Sequence, residues 1–417
     1  MGLSCEEVEG ATDPGCFKPL TLQGHVFGAL DSTPIAGARI VASDADGAAV
    51  STVAISAADG AYTLTVPAKR DAKGVPVQVS YSLRADAAGF LTFPLAPRVA
   101  LPIDVSTAAG DPPVVKSAAT EIALIALADA TGLGAVAGTV IADHPGGTLV
   151  VAGGSTGIAD FSGKYEVFNV PAGATVDVRG YAAGLQITPV QAAVAAAKQT
   201  MGIDLKSTGA ATATVSGKVA IVNGGGASTT SVVLAVEETF NADAARGVVP
   251  KGLRIGNVSG DFVIKDVPDG KYVVLAAFEN DGLVRDPDTA IGGTQIVHLT
   301  VAGQGQAIGT SFKVTGALAV VSPGATKLDE VSGTPKLVWG ADSGEDHYEV
   351  RVFDALGNKT WESLMVPSSK GGMDVSVDYG GPALKAGMIY QFRATSIKTG
   401  GSPISTTEDL KGVFVYK

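Results

Sequence analysis

A short hairpin stretch decides the fold of this chain: Ala58-Asp59-Gly60-Ala61-Tyr62-Thr63-Leu64-Thr65-Val66-Pro67. Its Asp-Gly pair predicts a tight turn, because glycine adopts positive φ angles without steric strain. After the turn, Tyr62, Leu64 and Val66 alternate with threonines, which places one face of a strand on a core. Pro67 ends the strand, because proline has no N–H to donate to a β-ladder. The stretch therefore predicts an antiparallel hairpin in an all-β protein.

The same pattern occurs twice more along the chain, which indicates tandem copies of one domain. Each copy opens with a Gly-x-Val strand, at Gly24-His25-Val26, Gly138-Thr139-Val140 and Gly217-Lys218-Val219. A Gly-x-aromatic hairpin follows, at Gly60-Ala61-Tyr62, Gly163-Lys164-Tyr165 and Gly260-Asp261-Phe262. A Val-Pro pair then ends that strand, at Val66-Pro67, Val170-Pro171 and Val267-Pro268. We expect the aromatic residue of each hairpin to point into a core.

This pattern resembles the carboxypeptidase regulatory-like domain, a transthyretin-like β-sandwich. The resemblance covers roughly residues 20–310 as three tandem copies, and it is strongest in Pro34–Val41 and Asp59–Val66 of the first copy. The third copy carries a long insertion from about Glu237 to Gly256. The resemblance implies a fold and no chemistry, because the zinc peptidase domain that gives the family its name has no counterpart in this chain.

The C-terminal stretch has a different pattern. Trp339 ends a short apolar run, and Tyr348-Glu349-Val350-Arg351-Val352 alternates as a strand. The turn Leu384-Lys385-Ala386-Gly387 precedes Tyr390. These features resemble a fibronectin type III domain over about residues 316–417. The resemblance implies that Trp339 fills the core and that Tyr390 forms the tyrosine corner of such sandwiches.

We therefore predict an all-β chain, an elongated multi-domain array of small antiparallel β-sandwiches. The predicted parts are an N-terminal arm or tether, three regulatory-like sandwiches and a fibronectin-like sandwich, at residues 1–19, 20–130, 131–208, 209–315 and 316–417. At most one or two short helices are expected. The single candidate is the alanine-rich stretch from Pro189 to Met201, which could also be a loop and a strand.

Composition excludes several classes of protein. Of the 417 residues 46% are apolar and only 17% are charged, against roughly 25% charged in usual soluble domains. Neither a disordered acidic chain nor a charged helical bundle has this profile. Acidic residues exceed basic ones by 41 to 30, which gives a net charge of −11. A phosphate backbone is repelled by that field, so we expect no nucleic-acid partner.

No segment of the sequence is predicted to span a membrane. The strongest candidate, Ile122–Ala142, contains Asp129 and reads better as two short strands around a Gly-rich turn. A secretory signal is not recognisable either, because the start Met1–Cys5 has neither a basic region nor an apolar stretch. The protein is then either cytosolic or the product of a removed signal.

The two cysteines leave three interpretations open. Cys5 and Cys16 lie close together in a polar start, and a disulfide between them would stabilise the arm by roughly 3 kcal/mol and imply an oxidising compartment. Alternatively, Leu3-Ser4-Cys5 is similar to the end of a bacterial lipobox, in which Cys5 carries a lipid. The third interpretation is two unpaired thiols in a frayed terminus.

Catalytic and metal-binding patterns are weak. None of the histidines has a second ligand at metal-binding spacing: His25, His144, His298 and His347. Gly153-Gly154-Ser155-Thr156-Gly157 matches the nucleophile elbow of hydrolases, but strands and no helix are predicted around it. Two acidic pairs, Asp44/Asp46 and Asp286/Asp288, suit solvated turns better than calcium loops. We expect no enzyme activity, no cofactor and no metal site.

The function that these features favour is structural. We expect a non-enzymatic bacterial protein of the cell surface or extracellular space, adhesive or structural, with lipid anchoring at the outer membrane through Cys5 as one option. Its partners would be other surface proteins or further copies of itself, since flat sheets and sheet edges pair readily. The alternative is an accessory module that binds carbohydrate or protein, with Trp361 as the candidate glycan contact.

Overall fold

The protein is all-β in a computed structural model, which confirms the predicted fold class. The structure describes residues 17–71, 75–222, 228–278, 281–369 and 373–417. Within these ranges, helical structure is limited to three single turns of 3-10 helix, at Val105–Thr107, Ala118–Thr120 and Glu237–Thr239. This part of the chain contains no helix with the length and apolar character needed to cross a membrane.

The chain divides into two compact units. The first unit runs up to Leu95 and includes Val99–Gly209 and Pro250–Gly252. The second unit comprises Ala96–Arg98, Ala210–Val249 and Leu253–Lys417. Two successive β-sandwiches account for the strands of each unit, and we refer to them below as the first to the fourth sandwich.

The first sandwich pairs a sheet of order β4-β1-β9-β6, with β8 beside β1, with a sheet of order β3-β2-β5-β7. Its strands are β1 (Phe17–Gly28), β2 (Arg39–Ser43), β3 (Ala54–Ile55), β4 (Ala61–Lys69), β5 (Ser80–Asp86), β6 (Phe90–Leu91), β7 (Ile103–Asp104), β8 (Val114–Val115) and β9 (Ile122–Ala126). The quoted hairpin stretch forms β4, which lies antiparallel to β1 with Tyr62 opposite Gly24. The last strand, β9, pairs with β1 in parallel.

The second sandwich has the corresponding strand orders, β13-β10-β18-β15 with β17 beside β10, and β12-β11-β14-β16. Its strands are β10 (Leu133–Ile141), β11 (Leu149–Ala152), β12 (Ser155–Ile158), β13 (Lys164–Pro171), β14 (Thr175–Tyr181), β15 (Leu185–Ile187), β16 (Val190–Ala193), β17 (Gln199–Thr200) and β18 (Leu205–Ala210). Again the first strand lies antiparallel to the hairpin strand and parallel to the last strand.

The third sandwich repeats these orders, as β22-β19-β27-β24 with β26 beside β19, and β21-β20-β23-β25. Its strands are β19 (Ala213–Ile221), β20 (Thr230–Val236), β21 (Arg254–Val258), β22 (Asp261–Val267), β23 (Gly270–Ala276), β24 (Leu283–Arg285), β25 (Val297–Val301), β26 (Gln306–Ala307) and β27 (Phe312–Gly316). Three successive sandwiches therefore have one strand order, as expected of tandem copies.

The fourth sandwich differs, with a sheet β28-β30-β33 and a sheet β29-β36-β34-β31-β32 that has β35 beside β34. Its strands are β28 (Val320–Ser322), β29 (Asp329–Val331), β30 (Lys336–Trp339), β31 (His347–Asp354), β32 (Lys359–Pro367), β33 (Val375–Asp378), β34 (Ile389–Ile397), β35 (Pro403–Thr406) and β36 (Val413–Tyr416). Trp339 is fully buried and meets Tyr348 edge to face at 5.4 Å, which confirms it as a core aromatic. The Lys385 N–H donates to Tyr390 Oη at 2.9 Å, as a tyrosine corner requires.

Each hairpin aromatic points into its core, as predicted from the repeat. Tyr62, Tyr165 and Phe262 are all buried. In the third sandwich the central strands are buried on the outer face as well, because part of the insertion covers them. Phe240 and Val249 pack there against a buried cluster of Val233, Ala235, Val273 and Leu275. The insertion thus has a packing role in its own sandwich.

Two ambiguous segments of the sequence are strands and loops. Ile122–Ala142 contains β9 and β10 around a turn, as predicted from its glycines. The alanine-rich stretch from Pro189 contains β16 and β17 and no helix. There the loop-and-strand interpretation is correct, because Val190 to Ala193 pair with β14 and Ala192 fills the core of the second sandwich.

Candidate functional site

The residues that the sequence singled out do not meet in one site. Cys5 and Cys16 lie outside the described residues, so their state stays a prediction. Ser155 of the Gly153–Gly157 motif lies at a hairpin between β11 and β12, and its hydroxyl donates to Asn169 O at 2.6 Å. A strand on both sides of the motif is incompatible with the strand-to-helix turn of a nucleophile elbow.

The histidines and acidic pairs have local partners. Three of the histidines each lie within 3.0–3.3 Å of a single carboxylate: His25 by Glu121, His298 by Glu237 and His347 by Asp346. The Oδ1 atoms of Asp44 and Asp286 accept backbone N–H groups and so cap their own turns. Within the described ranges, no group of three or more His, Cys, Asp and Glu side chains is arranged to hold a metal ion.

Trp361 closes one edge of the fourth sandwich. It lies on β32 opposite Val352 and packs edge to face on Tyr379, with ring centroids 5.2 Å apart. Gly381 lies against it so closely that a Cβ there would be 2.7 Å from Trp361 Cβ. The indole is only partly exposed. Its contacts are those of a strand aromatic at the rim of a core, and its role as a glycan contact stays a proposal.

Within the first unit, Asn169 joins the first two sandwiches. It lies on β13 of the second sandwich with a positive φ of 60°, a conformation that asparagine tolerates better than most residues. Its amide group binds the turn before β6 of the first sandwich. Oδ1 accepts from Gly89 N at 2.7 Å, and Nδ2 donates to Phe90 O at 2.8 Å and to Ala87 O at 3.2 Å.

Two arginines of the first sandwich extend this joint. Arg39 is buried, and its Nη2 donates to Lys164 O at 2.5 Å. Burial lowers the pKa of Arg39, and the charge of Asp160 opposes that shift. Arg84 holds Asp86 at 2.8 Å and also donates to Thr156 Oγ1 at 3.1 Å. The two sandwiches of this unit therefore share a polar joint with fixed hydrogen-bond geometry.

In the second unit, a buried carboxylate joins the third and fourth sandwiches. Asp409, whose side chain is 2% exposed, receives two hydrogen bonds from Arg285 of β24, at 2.6 and 3.0 Å. Arg393 of β34 adds a third, at 2.5 Å. Burial alone would raise the pKa of Asp409, but the two guanidinium groups outweigh it and hold this pKa below its ordinary value.

Further contacts surround this carboxylate. Glu408 Oε1 accepts from Gly282 N at 2.6 Å, and Ser405 Oγ donates to Gly316 O at 2.5 Å. Arg246, from the insertion, donates through Nη1 to the carbonyl oxygen of Asp354 at 3.2 Å. Burial, with a smaller effect from the charge of Arg393, lowers the pKa of Arg246 to about 10. The group is therefore still cationic at neutral pH.

A polar cleft of about 220 Å³ lies beside the joint. Arg285, Arg351 and Arg393 line it together with Asp243 and Asp286. The arginines are already paired, two of them with the buried carboxylate and Arg351 with Glu349 at 2.7 Å. A ligand would have to compete with these pairs. The arrangement is therefore better suited to fix two sandwiches than to bind a solute.

Sequence reasoning missed both joints. Asp409, Arg285 and Arg393 are separated by up to 124 residues in the chain, so local spacing carries no signal of their contact. Asn169 sits one residue before the Val-Pro pair of the second copy, and nothing in the motif distinguishes it from a solvated position. Only the three-dimensional neighbours identify these residues.

No family model matches the chain, and no curated protein matches it. Among solved structures, the TIE protein of Bacillus anthracis is 10% identical over 99% of this chain and 75% of that chain, with a TM-score of 0.17. BcpA, the major pilin subunit of Bacillus cereus, is 11% identical over 70% of this chain and 99% of that chain, with a TM-score of 0.18. A DUF3823 family protein from Bacteroides ovatus is 14% identical over 49% of this chain and 100% of that chain, with a TM-score of 0.20. These three neighbours are bacterial and include a pilin subunit, but TM-scores this low define neither the fold nor the function of this chain.

Proposed function

We propose that the chain is a non-enzymatic structural or adhesive protein of a bacterial cell surface or the extracellular space, where it acts as a spacer or as a subunit of an assembly. The observation that carries the proposal is the buried joint of Asp409 with Arg285 and Arg393. It lies between two sandwiches, and the two arginines that it shares with the neighbouring cleft are already paired with the carboxylate.

The physical argument rests on desolvation. A buried ion pair gains little net stability over apolar packing, because both partners lose their hydration. Its better-attested use is to specify one geometry, since a misaligned pair leaves a buried charge without a partner. A joint of this kind therefore favours a fixed orientation of neighbouring sandwiches, which a spacer needs.

We also propose which known domain type each of the four sandwiches resembles. We assign regulatory-like sandwiches to residues 20–130, 131–208 and 209–315 and a fibronectin-like sandwich to 316–417, with the bounds moved by one to three residues where strands cross them. Strand β1 begins at Phe17, β18 ends at Ala210 and β27 ends at Gly316. The shared strand order of the first three sandwiches supports the former. The tyrosine corner and the buried Trp339 support the latter.

The N-terminal arm was predicted at residues 1–19, and the part of it that precedes β1 would serve as the tether. Either a lipid on Cys5 or a disulfide between Cys5 and Cys16 is compatible with a surface location. The intact mass of the protein isolated from its own cells separates the two, because a disulfide removes two hydrogens whereas lipidation adds the mass of the acyl chains. Unmodified thiols would contradict both.

Surface labelling tests the proposed location. An antibody against the chain should label intact cells of the source bacterium, and an external protease should remove the label while a cytosolic marker is retained. Labelling only after lysis would contradict the proposal.

A further inference from the structure

One sheet edge of the third sandwich lacks the usual protection. Edge strands expose unpaired backbone groups, and proteins guard them with charge, proline or bulges. Among the described edge strands of five residues or more, all but β25 carry such a residue: Pro67 on β4, Pro171 on β13, Arg254 on β21, Lys265 on β22 and Lys359 on β32. Strand β25 reads Val-His-Leu-Thr-Val, and it pairs with β23 in an unbroken register.

The side chains of β25 divide into two sets. His298 and Thr300 are exposed, and His298 Nδ1 lies 3.3 Å from Glu237. Val297 and Leu299 are half-buried and point to the other face. The edge therefore offers free backbone groups, an apolar inner row and a polar outer row, with no lysine or arginine to repel an incoming strand.

A slot of about 330 Å³ lies directly beside this edge. Val297 and Leu299 form one wall, and Ile308 and Phe312 lie across from them. Gln295, His298, Gln306 and Thr310 add polar groups, and the walls carry no carboxylate and no guanidinium. The slot can accept uncharged side chains from a strand that continues the sheet.

In each of the first two sandwiches, a tyrosine hydroxyl donates a hydrogen bond to the segment that precedes the last strand, near the position that corresponds to the slot. Tyr62 Oη donates to Thr120 O at 2.7 Å, and Tyr165 Oη donates to Ile203 O. The third sandwich has Phe262 there, which has no hydroxyl to donate. Its return segment is also longer, because Ile308 makes the backbone hydrogen bond to the first strand that Ile203 makes in the second sandwich, yet the last strand begins only at Phe312.

We propose that β25 pairs edge to edge, antiparallel, with β25 of a second copy of this chain. About a two-fold axis at Leu299, each Leu299 faces the partner's Leu299, and each His298 faces the partner's Thr300. No like charges meet in this register, so an uncharged edge is matched with an uncharged edge. The inward side chains of the partner strand lie against the slot. This inference deepens the proposed function, because it names how a surface subunit would associate.

Charge substitutions on the outer row test the register. His298→Lys with Thr300→Lys places like charges opposite each other twice, whereas His298→Lys with Thr300→Glu places opposite charges there. Both positions are exposed, so neither double variant should alter the thermal unfolding midpoint at protein concentrations below those at which the wild type dimerises. Thr63→Lys with Thr65→Lys adds the same two charges as the first variant, on exposed positions of the guarded strand β4, and serves as the matched control.

Light scattering after size exclusion, in reducing buffer and over a wide range of protein concentration, gives the absolute mass. We expect the wild type, the Lys/Glu variant and the β4 control to reach twice the chain mass of 41.7 kDa, and the Lys/Lys variant to stay at the chain mass. If the wild type is monomeric at every concentration, the inference is wrong, even if β25 pairs with a strand of a different protein. A dimeric Lys/Lys variant or a monomeric Lys/Glu variant overturns the register. The surface role has its own test, so a monomer found on the cell surface would refute the pairing alone.

Discussion

At the scale of single residues, each Gly-x-Val motif needs its glycine because a neighbouring segment or side chain lies too close for a Cβ atom. A Cβ on Gly24 would lie 1.9 Å from Thr120 O, and one on Gly138 would lie 2.1 Å from Ile203 O. These are backbone atoms of the segment that returns to the first strand, so they cannot move aside easily. In the third sandwich, a Cβ on Gly217 would meet Phe262 Cζ at 2.8 Å, and that atom is the far end of a side chain.

We therefore expect Gly138→Ala to destabilise the protein by about 3 kcal/mol, at the upper end of ordinary overpacking. Gly217→Ala should cost about 1 kcal/mol, because the ring of Phe262 can turn away. Urea unfolding of the two variants against the wild type measures the difference. If both variants lost the same free energy of unfolding, the nearby backbone of the returning segment would not be the reason that glycine is required.

The protonation of Asp409 should make the stability of the folded protein depend on pH. Its pKa is lowered in the folded state, so its contribution to stability is complete above the ordinary value of 3.8 and is lost as the pH falls through the lowered one. Asp409→Asn removes this dependence. At neutral pH it should also cost about 3–5 kcal/mol, because Arg285 and Arg393 lose the carboxylate between them.

Thermal unfolding from pH 7 down to pH 2 measures both effects. Asp378→Asn, which alters an exposed carboxylate on β33 of the same sandwich, is the control and should follow the wild type. If Asp409→Asn were as stable as this control at pH 7, the carboxylate would not be the group that compensates the charges of Arg285 and Arg393 in the folded protein.

At the scale of elements, turn chemistry and alternation predicted much of the fold. Asp59-Gly60 lies at the turn before β4, and the aromatic after each hairpin turn is buried in its sandwich. The parallel pairing of first and last strands could not be predicted, because β1 and β9 meet across about a hundred residues and each strand alone fits either edge. The strand at Val190 was ambiguous because alanine favours helix while only tertiary packing favours the strand.

Trp361 on β32 separates the structural account from the glycan-binding alternative. Because its indole packs on Tyr379, Trp361→Ala should destabilise the protein by roughly 2 kcal/mol, less than full burial would give. Trp361→Phe should restore most of that loss. In a glycan array, we expect no binding that depends on this residue. A glycan bound by wild type and by Trp361→Phe at native fold, but lost in Trp361→Ala, would favour the accessory-module function.

At the scale of the whole molecule, the contacts between neighbouring sandwiches in each unit could not be predicted from the sequence. A low charge content and tandem repeats predict separate sandwiches, but they do not say how neighbours meet. Arg39, Asn169 and Asp409 lie in strands or loops whose local pattern resembles solvated surface. Each of them is hydrogen-bonded to the neighbouring sandwich, and that contact is not encoded in the local pattern. The function could not be predicted from the sequence for the same reason, because contacts between residues far apart in the chain produce no recognisable sequence motif.

Fixed geometry between the third and fourth sandwiches is the central claim, and a distance distribution tests it most directly. Spin labels on Lys265→Cys and Ser376→Cys, both exposed, would report the orientation across the joint, with Cys5 and Cys16 replaced by serine and unlabelled chain in excess. We predict a single narrow distance distribution for this protein and a broad one after Asp409→Asn. A broad distribution before that substitution would contradict the claim that the buried carboxylate fixes the two sandwiches.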